Sequence, residues 1–162
     1  MPLTAHEIRV RRRARARALQ ALYAWDLVPD GGLVQVGERL FTDLAVGPEE
    51  RQVAAPLLAS AAESLEQIDR ELAAVTTNWR LERLSAIDRS VLRLAAAELR
   101  IGETPPVAVI KEAIHLAERF GTDASARFVN GVLDAIFSVS VNATSTITTK
   151  SSSCSHRRTS AK

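Results

Sequence analysis

Six arginines stand in the nine residues from Arg9 to Arg17, with no acid among them. The run passes directly into Ala18-Leu19-Gln20-Ala21-Leu22-Tyr23-Ala24-Trp25. Alanine, leucine, glutamine and arginine are all good helix formers. The pattern predicts one helix from about Thr4 or His6 to Leu27, closed by Pro29-Asp30-Gly31-Gly32. Ala14, Ala18, Leu22 and Trp25 fall on one stripe, and Arg9, Arg13 and Arg17 on another. A guanidinium does not shed its charge by a pKa shift, and its planar fork matches phosphate oxygens. The chain as a whole carries a formal charge of only +2, so this segment is a local positive pole. Ordinary solvated helix faces mix signs, with acids about four residues from bases. Here the first acid after Glu7 is Asp26. The run therefore reads as a polyanion contact, the plain alternative being a solvated face.

The rest of the chain continues in helices. Six or seven segments can be read from periodicity and punctuation, as one domain or two small subdomains sharing a core. Leu33, Val36, Leu40 and Leu44 share a face of a second segment. Gly47-Pro48-Glu49-Glu50 opens a third, which runs to Val75 and is expected to kink or divide at Pro56. Ser85-Ala86-Ile87-Asp88 is a capping-box pattern, with Ser85 as N-cap and Gly102 as the stop. Pro105-Pro106 opens the next helix and Gly121 ends it. The last starts near Thr122 or Asp123 and buries Phe128, Val129, Val132, Leu133, Ile136 and Phe137. Gly131 within it suggests a helix passing too close for a Cβ, and Asn130 reads as a buried amide bonded to backbone. From Ala143 to Lys162, eleven of twenty residues are Ser or Thr and none is acidic. Such composition predicts a disordered basic tail over 141–162.

Catalytic chemistry finds no footing. No Gly-rich phosphate loop is present, and His6, His115 and His156 show no ligand spacing. Cys154 stands alone, so no intrachain disulfide or thiolate cluster can form. Ser85 has a sufficient role as a cap. Asp88 and Glu98 lie among arginines and read as surface ion-pair partners. No catalytic residue, metal or cofactor is assigned. No apolar run approaches the roughly 20 residues of a membrane span, and no signal-peptide core is seen. A cytoplasmic, non-membrane protein is expected. Tyr23 and Gln20 follow the arginines by one or two turns, and Tyr23 offers a stacking platform for an unpaired base. Taken alone, Tyr23 reads better as a half-buried amphipathic core residue than as a stacking platform.

Taken in order, these segments resemble the NusB family of transcription antitermination proteins. The resemblance rests on Arg11-Arg12-Arg13-Ala14-Arg15 with Leu19 to Trp25, and on Leu84 to Leu94 with Glu98-Leu99. It continues in Pro106, Val109 to Ile114, and Phe128 to Asp134, and spans roughly Val10 to Ile136. It implies an all-α fold of about seven helices in two packed bundles, here about 6–80 and 81–140, within one domain over 1–140. It further implies binding of single-stranded boxA RNA in nascent ribosomal RNA transcripts together with NusE, a small-subunit ribosomal protein. Other Nus factors and RNA polymerase follow as partners, and pairing of two copies stays open. Carried over by position, Arg9, Arg11, Arg12, Arg13 and Arg15 supply phosphate contacts, with Gln20, Tyr23 and Phe128 near the RNA. Glu82 and Asp88 match acidic positions on the RNA and NusE surfaces. Lys111 replaces an asparagine common in relatives, and Ala124 replaces an acid. Whether the Thr122–Ser125 loop faces RNA or NusE stays open. Two rival readings remain: a module assisting ribosomal RNA modification, and a helical dimerisation or scaffold protein.

Overall fold

The structure is a computed structural model and describes residues 2–150. Its helices are α1 (Ala5–Leu27), α2 (Leu33–Asp43), α3 (Pro48–Glu63), α4 (Leu65–Val75), α5 (Ala86–Ile101), α6 (Pro106–Phe120) and α7 (Ser125–Lys150). A single 3-10 turn, Leu81–Arg83, precedes α5. The all-helical class expected from the sequence is what the chain adopts.

Local chemistry explains most of the boundaries. The Thr4 hydroxyl accepts from the Glu7 N–H at 3.2 Å, and the Glu7 carboxylate accepts from the Thr4 N–H at 2.7 Å. This reciprocal capping starts α1 and holds the Glu7 carboxyl below its usual pKa, chiefly through the Thr4 backbone donor. Ser85 Oγ accepts from the Asp88 N–H at 3.0 Å and starts α5. Gly102 ends it in the left-handed region, at φ 74°. Pro48 and Pro106 occupy first turns of α3 and α6, where a missing N–H costs nothing.

Four expectations need correction. Of the two outcomes expected at Pro56, division does not occur; α3 carries the proline on an exposed face, and the helix ends at Glu63 instead. Gly131 meets no close neighbour, since a Cβ built there would have nothing within 4 Å. The close helix approach lies at Gly37, where a Cβ would come within 2.4 Å of Leu58 Cδ1. Asn130 is half-buried and makes no hydrogen bond through its amide among the described residues. Finally, α7 continues through residues 141–150, which the sequence reading placed in the tail. Once a helix is nucleated, each further residue adds one hydrogen bond at little cost, and no Gly or Pro interrupts it after Gly131. Residues 151–162, the remainder of the expected tail, lie outside the described residues.

Two groups of helices share one core. The first is α1 packed on α2 and α3; the second gathers α4, α6 and α7 around α5. α4 packs on α5 and α7 and also touches α3. α5 is the hub, since it also packs on α1 and α3. Every residue from Ser90 to Glu98 is buried, the signature of a helix enclosed on all sides rather than on one stripe.

Candidate nucleic-acid interface

The arginine run lies on α1 and is divided by the helix period. Ala14, Ala18, Ala21 and Leu22 turn into the core, and Arg15 goes with them at 6% exposure. Its Nε and Nη2 donate to the two Glu98 oxygens at 2.9 and 2.6 Å. The Thr104 hydroxyl donates to the same carboxylate at 2.8 Å. Burial alone would lower the Arg15 pKa, but the bonds to Glu98 and the charges of Glu98 and Glu112 outweigh it and hold it above its usual value. Arg15 is therefore no free phosphate contact, and Glu98 is no surface acid; together they bolt α1 to α5.

The other guanidiniums remain at or near the surface. Arg9 is exposed and Arg11 half-exposed, and neither forms an ion pair among the described residues. Arg13 reaches only to 3.8 Å from Glu50, with 70% of its side chain exposed. Arg17 also sits 3.8 Å from Glu50 and donates to Gln20 Oε1 at 3.0 Å. Arg12 donates through Nε and Nη2 to Glu112 of α6 at 3.1 to 3.2 Å. The run is acid-free only along the sequence. In the fold, Glu50, Glu98 and Glu112 supply anions from three other helices, up to 100 residues away. No local spacing announces them.

Tyr23 lies half-buried further along α1, and its hydroxyl bonds to no group among the described residues. Phe128 packs partly against the core from the first turn of α7. No ring contact or hydrogen bond joins the two. At the start of α7, Ser125 is buried and its hydroxyl accepts from the Thr122 N–H at 2.9 Å. Ala124 is exposed and its carbonyl accepts the first helical bond, from Phe128, at 3.1 Å.

The acidic pair lies at the opposite end of α1. Here α1 and α5 run antiparallel, since Arg15 meets Glu98 while Asp26 meets Arg89 and Arg93. Glu82 is exposed on the 3-10 turn, which Arg89 holds by donating to the Leu81 and Leu84 carbonyls at 3.0 and 3.1 Å. Asp88 is half-buried in the first turn of α5, and its Oδ1 is a buried atom with no partner. The stretch from Arg13 to Asp26 spans roughly 20 Å of helix, at about 1.5 Å per residue. The arginine run and the Glu82–Asp88 pair therefore lie in two separate places, not one site. A part-buried ion network joins Asp26, Asp69, Arg89 and Arg93, whose paired members are 24 to 67 residues apart and leave no local signal in the sequence. Trp79 stands 60% exposed beside Arg80 and Glu82. Among the described residues no cluster of His, Cys, Asp and Glu could hold a metal ion, and no helix is long and apolar enough to cross a membrane.

Fold and site define an all-helical domain with a basic helix face at one end and a mixed cluster of acids and arginines at the other. The model of the NusB family matches residues 12–138. The transcription antitermination protein NusB of Anaeromyxobacter dehalogenans (strain 2CP-1 / ATCC BAA-258) is 43% identical over 131 residues, covering 79% of this chain and 90% of the relative. That of Bacillus mycoides (strain KBAB4) is 38% identical over 127 residues, covering 78% and 95%. The chain belongs to the NusB family. Among solved structures, NusB of T. maritima superposes with a TM-score of 0.72 at 37% identity, over 78% of this chain and 89% of that one. A structure of antitermination factors NusB and NusE in complex with dsRNA superposes with a TM-score of 0.74 at 27% identity, over 81% and 98%.

Proposed function

We propose that this chain is a transcription antitermination factor that binds boxA-type single-stranded RNA in nascent ribosomal RNA transcripts together with NusE. The observation that supports this best is a row of exposed guanidiniums on α1, in a fold matching a NusB solved with NusE and RNA. In this reading Arg9, Arg11 and Arg13 meet phosphates, since no nearby acid hydrogen-bonds them. Tyr23 and Phe128 take bases by stacking, and Gln20 lies between the arginines and Tyr23. Glu82 and Asp88 face NusE, Glu82 from the exposed 3-10 turn and Asp88 from the first turn of α5. The complex then joins other Nus factors and RNA polymerase in the cytoplasm. The protein works by binding, without catalysis.

Filter binding tests this with a boxA-like single strand, a scrambled strand and a duplex, each with and without a NusE-like protein. The expected result is salt-dependent binding that favours the boxA strand and tightens when NusE is added. Equal affinity for all three RNAs, or indifference to NusE, overturns the reading. The duplex arm matters because the matched complex holds double-stranded RNA.

A further inference from the structure

Arg12 is the one surface arginine of the run whose fork is already filled. Its Nε and Nη2 edge grips Glu112, the bidentate geometry that a phosphate would otherwise occupy. Glu112 is held independently of Arg12. Its carboxylate also lies 3.9 Å from Arg15 Nη1, and only 18% of the side chain is exposed. If Arg12 swings away, Glu112 keeps a cation beside it. Arg12, with 53% of its side chain exposed, is free to leave. Arg15 is not, because Glu98 fixes it.

We infer that Glu112 is a built-in phosphate surrogate that parks Arg12, so that RNA must exchange a carboxylate for a phosphate at this position. Glu112 thereby sets polyanion affinity without touching RNA. This rests on the RNA-binding reading above. Exchange has a signature in salt. A phosphate contact by an unpaired arginine releases a counterion, worth about 0.7 in the log–log salt slope for a single strand. Contact by Arg12 leaves Glu112 and Glu98 sharing the single charge of Arg15, and a salt cation taken up there cancels the gain.

The test uses the full chain with a boxA-like single strand and, separately, heparin as a polyanion that is not RNA. Glu112→Gln should tighten RNA binding by about two- to fivefold, the range of an exposed ion pair, and steepen the slope by about 0.7. The gain should vanish in Glu112→Gln combined with Arg12→Ala. In the otherwise unaltered protein, Arg12→Ala should leave the slope unchanged, whereas Arg9→Ala should make it shallower by about 0.7. That second comparison decides the matter even where Glu112→Gln fails to fold. Later elution of Glu112→Gln from heparin is expected in parallel. Weaker binding by Glu112→Gln would make Glu112 an orienting partner and overturn the inference, as would equal slopes for the Arg9 and Arg12 variants. If heparin is bound but boxA RNA is not, the RNA reading fails and heparin elution alone decides the role of Glu112. Binding of neither overturns both.

Discussion

α5 grips α1 at both ends with the same chemistry and opposite signs. Near the C-terminal end of α5 the cation is on α1, where Arg15 meets Glu98. Near the N-terminal end the anion is on α1, where Asp26 meets Arg89 and Arg93. Shifting α1 by one turn would break both, and reversing its direction would set like charges against each other. The ion pairs therefore fix register and direction in a contact otherwise made of Ala, Leu and Val, which pack in many registers. The two ends differ in redundancy. Without Arg15, Glu98 keeps only the Thr104 hydroxyl. Without Asp26, Arg93 keeps both oxygens of Asp69 at 2.8 Å, and Arg89 keeps two backbone carbonyls.

That contrast sets the largest expected effect. Arg15→Ala should destabilise the fold by about 3–5 kcal/mol, the usual cost of stranding one member of a buried ion pair. Thermal or urea unfolding measures it. Replacing both partners, Arg15→Met with Glu98→Leu, should recover much of the loss, because no charge is then left buried. A double variant as unstable as the single one would mean that packing, not charge, is what Arg15 contributes.

Asp26→Asn should cost less, about 1–3 kcal/mol, because its neighbours retain other partners. It should also change the response to acid. Burial alone would raise the Asp26 carboxyl, but hydrogen bonds and charges from Arg89 and Arg93 outweigh it and hold it below its usual value. A carboxyl lower in the folded than in the unfolded state binds protons more readily when unfolded. Its stabilisation is thus complete above the ordinary aspartate value near 3.8 and is lost as pH falls through the lower folded one. Stability of the Asn variant should fall less steeply over that acid window. Parallel curves for the two proteins would remove Asp26 as a source of acid sensitivity.

The same contrast explains what the sequence could disclose. Helix starts and stops at Ser85, Gly102, Pro106 and Gly121 are decided by residues within a turn, and the chain shows them directly. The α1 stripes are equally local, so the exposed face with Arg9 and Arg13 was legible. Arg15 was misjudged because its partner is 83 residues away and spacing carries no trace of it. The exchange of Gly131 for Gly37 as the close-approach glycine has the same origin. What lies opposite a glycine is tertiary information, and the residues flanking Gly37 and Gly131 do not disclose it. The division expected at Pro56 does not occur for another reason: a proline on an exposed face leaves only a solvent-facing carbonyl unpaired, and the core stripe of α3 carries the helix past it.

The smallest effect should come from Tyr23, which lies on α1 between the two ion clusters and belongs to neither. Its hydroxyl has no partner among the described residues, so Tyr23→Phe strands no group. Its stability should stay within about 0.5 kcal/mol of the parent. The variant also separates packing from binding, because phenylalanine keeps the ring face on which a base stacks. RNA affinity of Tyr23→Phe should match the parent, while Tyr23→Ala should lose about 1–3 kcal/mol of binding. Both need a calorimetric check that folding is intact, since the ring is half-buried. Should the Phe variant lose RNA affinity at unchanged stability, the hydroxyl itself is a hydrogen-bonding contact to RNA. Should the folded Ala variant bind as well as the parent, Tyr23 serves the α1 packing alone, and base stacking has to be sought at Phe128.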